Sequence, residues 1–394
     1  MDERLFPETL DNLEKTTGHR PATETDVRRV LERKDVDAIS IATPDYWHAL
    51  MTIWACQAVK DVCVEKPVSF TVTEGRRMVE AARKYKRIVQ GGLNMRSDPS
   101  TRAAIRLLSE GKLGKVYGAH AEILKPRGSI GRAQESAVPP GVNCDLYLGP
   151  TSMRPFTTNI MHYGWHFQWD MSTGDFGNTG VHTVDEVLWG VGQKTHPVKV
   201  NSAGGFYVWE ADQQTPNFQT ATVEYGDGTI VDMLITNLYA PSGAGTSFYA
   251  TKGYLAQQKG WKSFTGNFAA GGSSTPRTPG IDDHIANISF PTVTYTPGPA
   301  TEPDMTRNPR RATSRTSSIV FARGVEDLHC DILEGHLSAS VCHLTNISYR
   351  SGRKLVFDPA TERFVNDKEA DRYLTRPIAH LSRFPTKSRS IGPT

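Results

Sequence analysis

Between Val36 and Gln90, short apolar runs alternate with stretches of helix length. Val36–Ala42 is rich in β-formers and stops at Thr43-Pro44. Val62-Cys63-Val64 stops at Glu65-Lys66-Pro67, and Arg87–Gln90 runs into Gly91-Gly92-Leu93-Asn94-Met95-Arg96. Between them, Asp45–Lys60 carries Leu50, Ile53, Trp54 and Ala58 on one helical face, and Thr73–Lys86 is a second helix. Strands alternating with helices predict βαβ units and a parallel sheet. Strands covered on both faces by helices read as continuous apolar runs, as these do.

In a parallel sheet the three strand ends lie on one edge, so the turns at Thr43-Pro44, Glu65-Lys66-Pro67 and Gly91–Arg96 converge on one crevice. Open α/β sheets bind ligands at that edge. Lys66 is its centre. Pro67 fixes its own φ and pushes Lys66 toward an extended conformation, which aims the ammonium outward from the strand.

After about residue 115 the pattern changes. Val116–Ile123, Val198–Trp209, Gln219–Tyr225 and Thr229–Asn237 are strand-like, with Asp227-Gly228 as a hairpin turn between the last two. Gly180–Val191 and Val325–Tyr349 read as helices. Residues 265–318, rich in Gly, Ser, Thr and Pro, read as a long irregular insertion. The expected organisation is an α/β domain over 1–115 and an α+β domain over 116–394, built on an open, mostly antiparallel sheet.

The 394 residues are enough for two such domains. A net charge of +3, spread along the chain, points to no nucleic-acid partner, and no apolar run reaches membrane-spanning length. The five cysteines are scattered, without zinc spacing or a disulfide pattern, and no metal is expected. Met1-Asp2-Glu3-Arg4 leads into a polar helix-like stretch rather than a signal peptide. The chain as written is therefore expected to be cytoplasmic, with a periplasmic location if an export signal lies upstream.

The order Ala42-Thr43-Pro44-Asp45, His48 and Glu65-Lys66-Pro67 resembles the glucose–fructose oxidoreductase / inositol dehydrogenase (Gfo/Idh/MocA) family. The resemblance extends to Gly352-Arg353-Lys354-Leu355 and Arg376-Pro377. It implies a Rossmann domain for NAD or NADP, and a second domain that carries the substrate site and the oligomer contact. The implied reaction is hydride transfer to or from a hydroxyl carbon of a sugar, glycoside or cyclic polyol. A homodimer or homotetramer is the implied assembly. Ala42, Thr43, Pro44, His48, Glu65, Lys66 and Asn94 are the implied cofactor-binding residues.

A second constellation runs from Trp165-His166-Phe167-Gln168-Trp169-Asp170 to His182-Thr183-Val184-Asp185. His182 and Asp185 are three apart on one face of the expected helix. On the residues alone, such a histidine is tied to Asp185 in the core. The resemblance gives it another role, because the family carries an Asp, three residues, then a His here. Asn178 and His182 match those positions, with an amide in place of the usual carboxylate. The implied catalytic set is Lys66, His182, Asn178 and Asp185, with His182 taking the hydroxyl proton and Lys66 polarising the oxygen. Trp165, Phe167 and Trp169 alternate like the buried face of a strand. Their flat rings also suit the C–H faces of sugars, so Arg96, Tyr163, Trp165, His166 and Trp169 are expected to line the substrate pocket.

One family feature is absent. No Gly-x-Gly-x-x-Gly stands between a strand and a helix in this sequence, and Gly111–Gly114 and Gly128–Gly131 lack the spacing. By resemblance the chain is expected to begin about 40 to 70 residues late, beyond the βαβ unit that bears that loop. Two other readings follow: an NAD-dependent glycosidase of the same superfold, and a catalytically impaired partner subunit without the phosphate loop.

Overall fold

The computed structural model describes residues 2–240, 243–257, 260–265, 292–294 and 328–376. Two helices, α1 (Phe6–Thr17) and α2 (Val27–Glu32), precede the parallel sheet. Asp26 caps α2 by accepting from the Arg28 N–H. The sheet follows, with β1 (Ala38–Ile41), α3 (Asp45–Gln57), β2 (Asp61–Val64), α4 (Val72–Lys84) and β3 (Val89–Gly91). The order is β1-β2-β3 with both pairs parallel, Ala38 opposite Asp61 and Val62 opposite Val89. Its core joins Val62, Val64, Tyr46, Trp47 and Met78 to Leu148 and Trp165.

After α5 (Pro99–Ser109) the second domain begins with β4 (Val116–Leu124). Three helices follow, α6 (Cys144–Leu148), α7 (Gly174–Asn178) and α8 (Gly180–Val191). The strands are β5 (Lys199–Gly205), β6 (Phe218–Glu224), β7 (Ile230–Thr236), β8 (Gly243–Ala250), β9 (Gly253–Gln257), β10 (Trp261–Thr265) and β11 (Thr292–Thr294). A long helix, α9 (Ile332–Ser351), leads to β12 (Leu355–Asp358) and β13 (Arg363–Phe364). The sheet runs β11-β10-β9-β8-β4-β7-β6-β5-β12-β13 and is antiparallel except at β4–β7. Gly228, at φ 84°, makes the β6–β7 turn that Asp227-Gly228 announced.

Within the expected insertion 265–318, Thr265 ends β10 and Thr292–Thr294 pair as β11; its other residues lie outside those described. Residues 325–327 and Pro377 also lie outside them, and the helix expected from Val325 starts at Ile332.

α9 is capped by Asp331 and Glu334 in a reciprocal pair and joins the domains by packing on α4, α8 and β5. The α4 contact depends on Gly75, where a Cβ would stand 2.4 Å from the His336 ring. Beside it, Glu362 accepts from His196 (2.7 Å), His336 (2.9 Å) and Arg76 (2.6 Å), tying α4 to the second domain. These three residues and Glu362 come from four separate segments, so the cluster acts as a latch across the domain boundary.

Candidate active site

The first structural fact about the site is where Lys66 ends. Its Nζ donates to the main-chain carbonyl and to the side-chain oxygen of Asn178, both at 2.8 Å. The lysine closes β2 in the first domain, and Asn178 closes α7 in the second. An ammonium has three N–H donors, so two are used and one is left for a ligand oxygen. Burial pushes the Lys66 pKa down, and Lys125 adds to this, while Glu65 and Asp45 oppose it. Asn178 supplies two oxygens but no charge. Thr179 separates α7 from α8, which puts His182 in the first turn of α8, four residues beyond Asn178. His182 lines a cavity of about 540 Å³ with Asn94, Met95, Ile123 and Glu186.

His166 belongs to the same neighbourhood, interacting electrostatically with Asp175, Lys66 and Arg127. It does not lie on a strand. Gly164–Phe167 is a 3-10 turn, so alternation does not place Trp165 and Phe167 on one face. His166 Nδ1 lies 2.7 Å from the Tyr163 carbonyl, and a carbonyl can only accept. The proton is therefore on Nδ1, and Nε2 presents a lone pair. Burial holds the His166 pKa down to about 4, so the ring is neutral. Trp165 stacks on it with centroids 3.7 Å apart and packs edge-on against Tyr46. Trp165 is a core residue that fixes the imidazole, not a pocket wall.

Other expected residues are committed elsewhere. Arg96 and Asp185 are buried and bond each other: Arg96 Nε lies 2.9 Å from Asp185 Oδ2, and Nη1 lies 3.1 Å from Glu334. Ser338 donates to Asp185 Oδ1 at 2.7 Å. This ion pair ties the turn after β3 to α8 and α9, so the substrate role expected for Arg96 and the catalytic role expected for Asp185 do not match their surroundings. His48 is buried on α3, with Nδ1 2.7 Å from the Pro67 carbonyl and Nε2 2.8 Å from the Thr43 carbonyl. It sits wedged between the turns after β1 and β2, its single N–H donating to one of the two carbonyls because burial lowers its pKa, and it presents no ring nitrogen to a cofactor. Trp169 lines a different cleft, against Tyr349 and beneath the Arg350 guanidinium. Glu65 is exposed beside Lys66, and its Oε2 accepts from the Lys66 N–H at 3.3 Å. Thr43 and Pro44 form the neighbouring turn that ends β1 and starts α3.

Two residues were missed. Arg127, in the loop after β4, donates to Asp175 Oδ1 (2.7 Å), to Thr179 (3.3 Å) and to the Tyr163 hydroxyl. It fixes the start of the α7–α8 segment that bears Asn178 and His182. Lys125-Pro126-Arg127 at the end of a strand repeats the Lys-Pro pattern of Lys66-Pro67, and that was the available signal. Asp45 is buried at the start of α3, where Ser172 donates to it at 3.0 Å and burial pushes its pKa up to about 7.

Residues 7–93 match the family model described as the oxidoreductase family, NAD-binding Rossmann fold, and residues 128–237 and 300–383 match its C-terminal alpha/beta domain. The chain belongs to the Gfo/Idh/MocA oxidoreductase family. Among curated relatives, this Gfo/Idh/MocA chain is 37% identical over 93 residues to the uncharacterized oxidoreductase YrbE of Bacillus subtilis, covering 24% of this chain and 27% of that protein. It is 25% identical over 253 residues to levoglucosan dehydrogenase of Pseudarthrobacter phenanthrenivorans, covering 62% of this chain and 57% of the relative. The chain thus spans less than two thirds of these relatives. Among solved structures, levoglucosan dehydrogenase in complex with NADH and levoglucosan superposes with a TM-score of 0.63 at 17% identity, covering 89% of this chain and 88% of that one. The WlbA dehydrogenase of Bordetella pertussis, in complex with NADH and UDP-GlcNAcA, gives 0.61 at 18%, with 89% and 88% covered. These likenesses show the fold. No helix among the described residues is long and apolar enough to cross a membrane.

Proposed function

We propose that this protein is an NAD(P)-dependent oxidoreductase that transfers hydride to or from a hydroxyl-bearing carbon of a sugar or cyclic polyol. The observation that carries the reading is the Lys66–Asn178 grip, which holds an ammonium of lowered basicity at the carboxyl end of a parallel strand, beside the helix that bears His182. Family membership adds the NAD-binding class of the first domain.

The residues at the strand ends fit the nicotinamide end of such a cofactor. Thr43-Pro44, Glu65-Lys66 and Asn94 stand at the carboxyl ends of β1, β2 and β3, and Asn94 shares its cavity with His182. No glycine-rich phosphate loop occurs between Asp2 and β1. When bound, the nicotinamide supplies the hydride acceptor or donor.

The protein's own part is to bind and orient the alcohol and move its proton. Lys66 donates its third N–H to the reacting oxygen and stabilises negative charge there. His182 takes the hydroxyl proton, a role suited to an imidazole near neutral pH. His166 Nε2 accepts from a neighbouring hydroxyl and fixes the ring of the substrate, and Tyr163 and Arg127 border that side. Asn178 holds Lys66 in place from the second domain. The exposed face of the large sheet, with Tyr117, Ile230 and Tyr249, is the surface proposed for self-association.

The test is steady-state turnover of the full chain with NAD or NADP and a panel of neutral sugars and inositols. Net accumulation of reduced cofactor is expected. Glycoside cleavage without net accumulation would move the protein to the NAD-dependent glycosidases.

A further inference from the structure

One turn beyond His182, α8 carries a carboxylic acid in the wall of the same cavity. Glu186 is 1% exposed. Its Oε2 accepts from the Thr246 hydroxyl of β8 at 2.8 Å, while Oε1 is buried with no hydrogen-bond partner. An i, i+4 pair on a helix has its Cβ atoms about 5–6 Å apart on one face. His182 and Glu186 are such a pair, and both line the cavity of about 540 Å³ with Asn94, Met95, Ile123 and Ala244. The last three are apolar. Thr179, Thr183 and Gln257 add hydroxyl and amide groups to the same wall, and a few placed polar groups among apolar ones is how small-molecule sites fix orientation.

We propose that Glu186 is a specificity-determining residue: its carboxyl binds a second, uncharged hydroxyl of the substrate, about one helical turn from the carbon held by His182 and Lys66. This rests on the oxidoreductase reading of the site. Burial pushes the Glu186 pKa up to about 8, and Asp185 on α8 and Asp98 at the start of α5 add to this. At neutral pH the group is therefore the undissociated acid. With Oε2 already accepting from Thr246, the proton sits on Oε1, which has no partner within the protein. A substrate carboxylate or phosphate placed there would meet the same field of Asp185 and Asp98 that helps to raise the Glu186 pKa, and in a poorly solvated wall like charges repel strongly. The distal end of the substrate is therefore a neutral hydroxyl, and acidic sugars are disfavoured.

Calorimetric binding of myo-inositol, D-glucose and D-glucuronate to the full chain tests this without requiring turnover. A neutral polyol should bind, and D-glucuronate should bind at least about tenfold more weakly than D-glucose. Glu186→Leu should weaken neutral-polyol binding about tenfold or more, the loss of one buried hydrogen bond. Glu186→Gln, which keeps an N–H donor and the shape, should stay within about threefold of wild type. In turnover, Glu186→Leu should raise KM far more than it lowers kcat. Tighter binding of D-glucuronate, absence of neutral-polyol binding, or wild-type affinity in a folded Glu186→Leu variant would overturn the proposal. Binding that behaves as described without any reduced cofactor would leave Glu186 in its role and remove the oxidoreductase reading.

Discussion

Lys66 Nζ lies 2.8 Å from both oxygens that Asn178 offers, its main-chain carbonyl and its side-chain amide, across the boundary between the two domains. The contact explains two features at once. It orients the ammonium for a ligand, and it leaves the lysine without a carboxylate at the place where family members commonly carry one.

Asn178→Asp should restore that charge. An opposite charge within hydrogen-bond distance raises a lysine pKa, by about 1–3 units in the usual range. If Lys66 acts as the cation that polarises the reacting oxygen, activity falls as pH rises through its pKa. The basic limb of the kcat/KM profile should therefore move to higher pH in Asn178→Asp. An unmoved limb would show that Lys66 does not set it.

Arg96 and Asp185 should behave as a stability pair. Both side chains are almost fully buried, with exposures of 6% and 1%. Removing one partner of such a pair leaves an uncompensated buried charge, at a cost of about 3–5 kcal/mol. Arg96→Leu, which leaves Asp185 buried without a cation, should lower the denaturation midpoint accordingly, and Asp185→Ala should lower it less, because Glu334 still pairs with Arg96. A stable Asp185→Ala protein with collapsed kcat would instead return Asp185 to the catalytic set.

The latch at Glu362 should make the domain boundary sensitive to acid. Burial holds the His336 pKa down to about 4, against an ordinary value near 6.5. For Glu362, burial raises the pKa, but hydrogen bonds from His196, His336 and Arg76 outweigh it and hold the carboxyl well below its usual range. Both groups have folded pKa values below their unfolded ones, so both contribute stability that is present at higher pH and lost as pH falls. For His336 the loss begins near pH 6.5 and runs toward 4; for Glu362 it begins lower, near pH 4.5. Stability should drop by a few kcal/mol over that range, and Glu362→Gln, which removes the carboxylate that raises the His336 pKa, should abolish the loss below pH 4.5 and steepen the one between pH 6.5 and 4. Denaturant midpoints across pH check it; an unchanged slope in Glu362→Gln would discard the latch as its source.

His48→Ala should loosen the crevice without touching a ligand. The imidazole lies between the Thr43 and Pro67 carbonyls, at 2.8 and 2.7 Å, and donates its one N–H to one of them. Its loss frees the Glu65-Lys66-Pro67 turn from the Thr43-Pro44 turn, so cofactor KM should rise with a smaller change in stability. Faster backbone amide exchange confined to these turns would support this role, and unaltered exchange would remove it.

Much of this architecture could be read in the residues. The βαβ alternation is local, and each strand end carries its own punctuation, so the convergence of the turns at Pro44, Pro67 and Gly91 followed from topology alone. Gly180–Val191 was legible because Gly180 and Gly192 bound an apolar helix. What the sequence hid depends on long-range partners. The buried position of Asp185 follows from Arg96 and Ser338, which lie 89 and 153 residues away. His48 looked like a cofactor residue until both ring nitrogens were found on backbone carbonyls. Trp165 and Trp169 were separated by a 3-10 turn that alternation could not foretell. Arg127 and Glu186 carried too little local signal to stand out, since each matters only for what faces it.

The most direct measurement compares full-length wild type, Lys66→Met and His182→Ala, each verified as folded by circular dichroism, for reduction of NAD or NADP by a neutral sugar or inositol. Wild type should accumulate reduced cofactor, and each substitution should lower kcat/KM by about a hundredfold or more, as expected when a positioned proton acceptor or its electrostatic partner is removed. Near-wild-type turnover in both variants would contradict the assignment of Lys66 and His182 as the pair that handles the reacting hydroxyl.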